Sequence, residues 1–255
     1  MVMRDSSSKT SSAKCISSEA EDVAAEMVRL YDDTDSILKE IQASNDANAA
    51  FVTENSMHDV TLGKVFELRS STPVLGSDFY LLGEFLWSYV TTAARNDESV
   101  ETQPAPGEND APNDFVHREE YTLTLETQSG TFEVQGVAFA RKFDTPHRTV
   151  FTVTSTVRVP GSDLVIHQNS WLVASDHSSV TEDAPDSLGS SGKATLINAL
   201  HRLSIKTSSS SRNEKWTSST DPVDASKNLE QYVVKALSNR IRERQQLVQQ
   251  VLGMF

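Results

Sequence analysis

One cysteine, Cys15, occurs in 255 residues, so no internal disulfide can form. No Asn-x-Ser/Thr site occurs either, and no run of 18 uncharged apolar residues. The latter excludes a conventional membrane-spanning helix. The opening MVMRDSSSKTSS lacks the apolar stretch of a signal peptide. These absences together point to a reducing compartment, the cytoplasm or the nucleus. Positive charge is scarce: 23 Lys and Arg face 36 Asp and Glu, a formal charge of −13. Such a chain repels phosphate backbones at long range, which argues against general nucleic-acid binding.

Motifs that carry chemistry are equally scarce. There is no Gly-x-Ser-x-Gly elbow, no His-Glu-x-x-His helix and no paired Cys motif. Gly189 to Thr195 approximates a phosphate-binding loop, but Ser187 stands where the motif needs glycine and Ala194 where it needs Ser or Thr. The six histidines are His58, His117, His147, His167, His177 and His201, and none are spaced as a local metal pair. No metal, cofactor or catalytic residue is expected, and the chain reads as a non-enzyme. Arg240, Arg242 and Arg244 form the only dense basic cluster. On a helix they spread around the cylinder, which reads as a solvated face.

What is present is architecture. Hydrophobic residues make up 37 % of the chain, a little under the usual globular share, which leaves polar tails and loops around an ordinary core. Residues 1–18 are mostly Ser, Thr, Lys and Asp and read as a disordered tail, in which Ser6, Ser7 or Ser8 would be open to a kinase. From 19 to 43, Val23, Met27, Leu30, Tyr31, Thr34, Ile37, Leu38 and Ile41 recur at steps of three and four, the stripe of an amphipathic helix begun by a Ser18–Glu21 capping box. Tyr31 and Thr34 interrupt a coiled-coil seam, so the helix is expected to pack on its own chain. Residues 44–74 mix strand and helix signals until Pro73 stops the run. Residues 76–95 form a second helix, with Phe79, Leu82, Phe85, Leu86, Tyr89, Val90 and Ala93 on one face. Residues 96–114 carry six acids, three prolines and no base, and read as one flexible acidic loop inserted in the domain.

From 115 onward the period becomes two. Alternation over 116–127, 131–143, 147–159, 164–174 and 194–207, with short connections, predicts an antiparallel meander of about five strands, one face covered and one wet. Ser-rich loops fill 175–192 and 207–220. Residues 221–253 form a strong helix, with Asp221 as cap, Pro222 at the first position, and Leu229, Tyr232, Val233, Leu237, Ile241, Leu247 and Val248 along its stripe. The predicted class is α+β: an antiparallel sheet wrapped on a long C-terminal helix, as one domain over 19–255. A helix laid across a bent sheet need not fill the space below it, and the space left would be an apolar cavity. The inward bulky residues expected to line it are Tyr121, Phe132, Val134, Phe151, Val153 and Trp171 on strands, with Tyr232, Val233 and Leu237 on the helix. Trp171→Ala or Leu237→Trp should then change ligand affinity far more than Arg242→Ala.

This order of elements resembles the helix-grip fold of the START-like superfamily, and more specifically the START-like proteins of oomycetes, some of them mating-specific. The likeness is carried by Phe85-Leu-Trp87-Ser-Tyr89-Val90, by Phe132-Glu-Val-Gln through Arg141-Lys-Phe143 and His147-Arg148-Thr-Val150-Phe151, and by Asn169-Ser-Trp171-Leu-Val173. The resemblance implies binding of a lipid or another apolar small molecule under the last helix. Some relatives carry a basic leucine zipper before the domain; here a Ser-rich tail stands in its place, so DNA binding does not carry over. Two other expectations stand beside ligand binding. One is a regulatory protein with a closed core that works through a protein partner. The other is a helix-grip enzyme, for which His167, His201 and Arg141 would have to converge inside the cavity.

Overall fold

The computed structural model describes residues 23, 25–43, 50–59, 63–92, 100–104, 116–127, 130–177, 194–207 and 222–253. The expected tail at 1–18, the caps at Ser18 and Asp221, the phosphate-loop-like segment and the loop at 207–220 fall almost wholly outside these residues. The described elements are α1 (25–32), α2 (Thr34–Ala43), β1 (Phe51–Asp59), β2 (Gly63–Leu75), α3 (Phe79–Thr92), β3 (Val100–Pro104), β4 (Val116–Thr127), β5 (Gly130–Thr145), β6 (Arg148–Arg158), β7 (Leu164–Asp176), β8 (Ala194–Thr207) and α4 (Pro222–Leu252).

Eight strands form one antiparallel sheet in the order β1-β2-β8-β7-β6-β5-β4-β3. β4 to β8 are the predicted meander. Three further strands extend it. The β1–β2 hairpin, ambiguous in sequence, adds to β8. β3 forms at the far edge against β4, inside the segment expected to be a continuous acidic loop. Pro73 does not end its run but sits within β2, opposite Leu196. The β1 ladder stops at Ser71, so among the described residues that edge of β2 has no strand neighbour beyond it to which a proline N–H would be owed. A two-residue turn at Pro146–His147 joins β5 to β6, and Gly161, at φ 77°, helps the turn from β6 to β7.

Strict alternation sends odd and even residues of each strand to opposite faces. One face, here called inner, carries α3 and α4. The other carries α1 and α2, which lie over β7, β8 and β2 through Leu30, Ile37, Ile41, Trp171 and Leu200. The sheet is therefore covered in part on both sides, not wet on one. Met27, Leu30, Thr34, Ile37 and Ile41 of the predicted stripe are all buried, so the first helix does pack on its own chain.

α4 has 31 residues, or roughly 45 Å of helix. It touches β2 and β8 on one side and β4 on the other. Beneath its first half, Val233, Leu237 and Ile241 meet Leu68, Val134 and Leu203 in one apolar core. Beneath its second half, Val248 and Leu252 join α3 and meet Phe151, Leu172 and Ile197 in another. Ion pairs link the helices to the sheet: Lys64 of β2 to Glu230 at 2.8 Å, Arg242 to Glu54 of β1 at 2.6 Å, and Glu84 to Lys142 of β5. Each adds little alone, but together they set the position of helices whose burial supplies the energy.

Candidate functional site

Between the two inner-face cores lies a cavity of about 170 Å³. Leu123, Leu237 and Ile241 close it from the first core, and Leu172 and Val248 from the second. Tyr89 and Val90 of α3 bound one flank. The floor is polar: Ser155 of β6, Gln168 and Ser170 of β7, and His201 of β8 all face inward here. Glu119 lies beside them on β4, and Arg240, Arg244 and Gln245 look down from α4. The gap exists because small or polar side chains occupy mid-strand positions whose neighbours two residues away are large and apolar. In β7 the inward order is Ile166, Gln168, Ser170, Leu172.

These polar groups are linked. Gln168 Nε2 donates to Ser170 Oγ at 3.1 Å, and Ser170 Oγ lies 2.9 Å from His201 Nδ1. Gln245 also hydrogen-bonds the His201 ring. Burial pushes the imidazole down to about 4, and the Arg244 charge pushes the same way against the Gln245 bond. His201 is thus neutral at physiological pH. Burial raises the Tyr121 phenol, while the nearby Ser155 hydroxyl and the charges of Arg244 and Arg240 oppose the rise. Its ring lies across Gly136 on the neighbouring strand, where a Cβ would come within 2.6 Å of Tyr121 Cε2. Glycine at 136 is what lets the ring lie flat along the cavity wall. Tyr89 Oη donates to the Arg244 main-chain oxygen at 3.3 Å, tying α3 to α4.

Of the nine residues expected to line a cavity, Tyr121, Val153 and Leu237 do so. Val134 and Val233 face inward but are sealed in the first core, with Phe132 against them. Phe151 is sealed in the second core, its ring 6.0 Å from that of Trp87. Tyr232 is 40 % exposed on the outer side of α4. Trp171 is on the opposite face: its Nε1–H donates to the Leu30 carbonyl at 2.6 Å, and Arg202 lies over its ring. Trp171→Ala would therefore break the α1 contact rather than a ligand site. Leu247, expected on the buried stripe, is 51 % exposed.

The histidines that an enzyme reading would need to converge do not. His167 faces away from His201 and lies 3.3 Å from Thr156 on the outer face. Arg141 is also on that face, over the Phe143 ring. Among the described residues, no three His, Cys, Asp or Glu side chains gather as a metal site requires. The Ser170–His201 contact has the partners of a nucleophile and base but not their chemistry. The imidazole is too weakly basic at neutral pH, and Ser170 lies mid-strand with ladders on both sides, so its local amides are spent on the sheet. The arrangement can hold a polar group by hydrogen bonds at the floor of an apolar pocket.

Arg240 and Arg244, read from sequence as a solvated face, line the cavity; Arg242 alone turns away, to Glu54. No protein-family model matches the chain, and no curated protein matches it. Among the described residues, no helix is long and apolar enough to cross a membrane.

Proposed function

We propose that this chain is a non-enzymatic START-like module that binds an apolar small molecule, a lipid or a compound of similar character, between the inner face of its sheet and α4. The supporting observation is the cavity itself. α4 spans from β2 and β8 to β4 and leaves about 170 Å³ beneath it, between two packed cores. Aliphatic side chains of both cores meet linked polar groups on its floor and Arg240, Arg244 and Gln245 on α4, a mixed apolar and polar lining of the kind ligand pockets have. Burial of the ligand's apolar surface supplies the affinity, at about 25 cal/mol per Å² before the costs of association.

Size narrows the reading. A cavity of roughly 150 Å³ holds one benzene ring, so this one holds a single-ring or short-chain molecule as it stands. The test is native mass spectrometry and calorimetry with toluene, hexanol and hexanoate, on the wild type and on Val153→Trp. The indole should occupy the cavity and abolish binding, while Tyr232→Ala, on the exposed side of α4, binds as the wild type does. Undiminished binding to a folded Val153→Trp variant would remove the cavity from the account.

A further inference from the structure

We propose that the ligand of this cavity is a neutral alcohol or phenol of about one ring, its hydroxyl bonded to Ser155 and its apolar body against Leu123, Leu172 and Val248; this rests on the ligand-binding reading above. Ser155 is 5 % exposed, and its Oγ makes no hydrogen bond to any described residue. A hydroxyl buried in that state has lost its bonds to water without replacement, and such groups are rare enough in folded chains to require a reason.

The sheet register shows why the chain supplies no partner. Across the ladders Ser155 faces Ala138 of β5 and Gln168 of β7. Ala138 has no polar group, and Gln168 Nε2 is turned along its own strand to Ser170. Two residues away on β6, the inward neighbours are Val153 and Val157. The Tyr121 phenol is near enough to be influenced by the hydroxyl but does not bond it. Ser170 and His201, by contrast, bond each other and are held by Gln168 and Gln245. Ser155 therefore presents an unused donor and unused lone pairs to the cavity that it lines with Ala138 and Val153.

The charged part of the lining is already engaged. Arg240, Arg244 and Glu119 each interact with other groups of the chain. A ligand ion would shed its water without meeting an unpaired counter-charge, which disfavours it. A ligand hydroxyl has a donor hydrogen and acceptor lone pairs, as Ser155 has, so the two can bond in either sense. The volume limits the rest of the molecule to about one ring.

The experiment compares phenol with toluene, which match in size and differ by the hydroxyl, and with benzoate, which carries a charge. Titration calorimetry on the full chain should give phenol at least as tight as toluene, although phenol has more water to lose, and benzoate weaker than phenol. Ser155→Ala should weaken phenol roughly tenfold, the share of one hydrogen bond, and leave toluene unchanged. The same substitution should raise the urea midpoint of the ligand-free protein, because it removes a buried hydroxyl that has no partner. Phenol weaker than toluene on the wild type, equal losses of phenol and toluene in Ser155→Ala, a lowered urea midpoint, or a preference for benzoate overturns this inference and leaves the cavity reading intact. Failure of all three compounds, together with hexanol, overturns both. Should Ser155→Ala not fold, the order of phenol, toluene and benzoate on the wild type still decides.

Discussion

His201 is a buried imidazole that stays neutral. Its ordinary value in an unfolded chain is about 6.5, and burial in the cavity floor lowers it to about 4. Between those values the unfolded chain binds a proton that the folded one does not. The contribution is complete above pH 6.5 and is lost as pH falls toward 4, about 3 kcal/mol in all. Urea unfolding across that window should therefore show stability falling with acidity, and His201→Gln should flatten the slope. A slope unchanged by the substitution would mean that His201 is solvated. Asp35 and Glu54, held below the usual carboxylate range by their bonds to Arg148 and Arg242, lose their contribution only in more acid solution. The residue scale also shows what the sequence hid. Ser155, Gln168, Ser170 and His201 are ordinary strand residues one at a time. Their signal is that together they interrupt an otherwise apolar inward set, so that four neighbouring inner-face positions on β6 to β8 are polar.

At the scale of elements, the docking of α2 on the outer face depends on one buried carboxylate. Glu67 of β2 is 1 % exposed. Arg69 reaches one of its oxygens at 2.7 Å and Arg202 the other at 2.6 Å. Arg69 also bonds Glu40 of α2 at 3.1 Å, and Arg202 lies over Trp171, which holds the Leu30 carbonyl. β2, β8, β7 and both N-terminal helices thus meet in one network. Removing the charge leaves two half-buried guanidinium groups without their shared partner, which costs about 3 kcal/mol or more. Glu67→Gln should lower the urea midpoint accordingly and speed amide exchange in α2 ahead of α4. Equal protection of the two helices would deny the network its role. Helices at 23–43 and 79–92 and the strands from 116 onward were legible because their periods are unbroken. β1, β2 and β3 were not. β1 is mostly exposed and polar, β2 contains a proline, and β3 is five residues in acidic surroundings; each is a strand because a neighbouring strand accepts its backbone, not because its own pattern demands it.

For the whole molecule, α4 is the cover of two cores at once. Val233, Leu237, Ile241, Val248 and Leu252 are all buried against the sheet or α3. At about 1.5–3 kcal/mol each, their loss approaches the full stability of a domain. A chain ended at residue 221 should show no cooperative urea transition and should bind a fluorescent apolar dye strongly. A retained cooperative transition would mean that the sheet stands without its grip.

The sequence by itself determined the class of fold, the meander and the terminal amphipathic helix, because hydrophobic period and turn chemistry are local properties written residue by residue. It also determined that something apolar must lie under α4. Which side chains fill that space and which leave it open was decided only by the tertiary structure. Parity assigns a residue to one of two alternating sets, but the face that α4 covers, and the point where it bridges from β2 and β8 to β4, come from contacts between segments far apart in the chain. For that reason Trp171 and Phe151 went to packing, while Arg240, Arg244 and His201 came to the cavity.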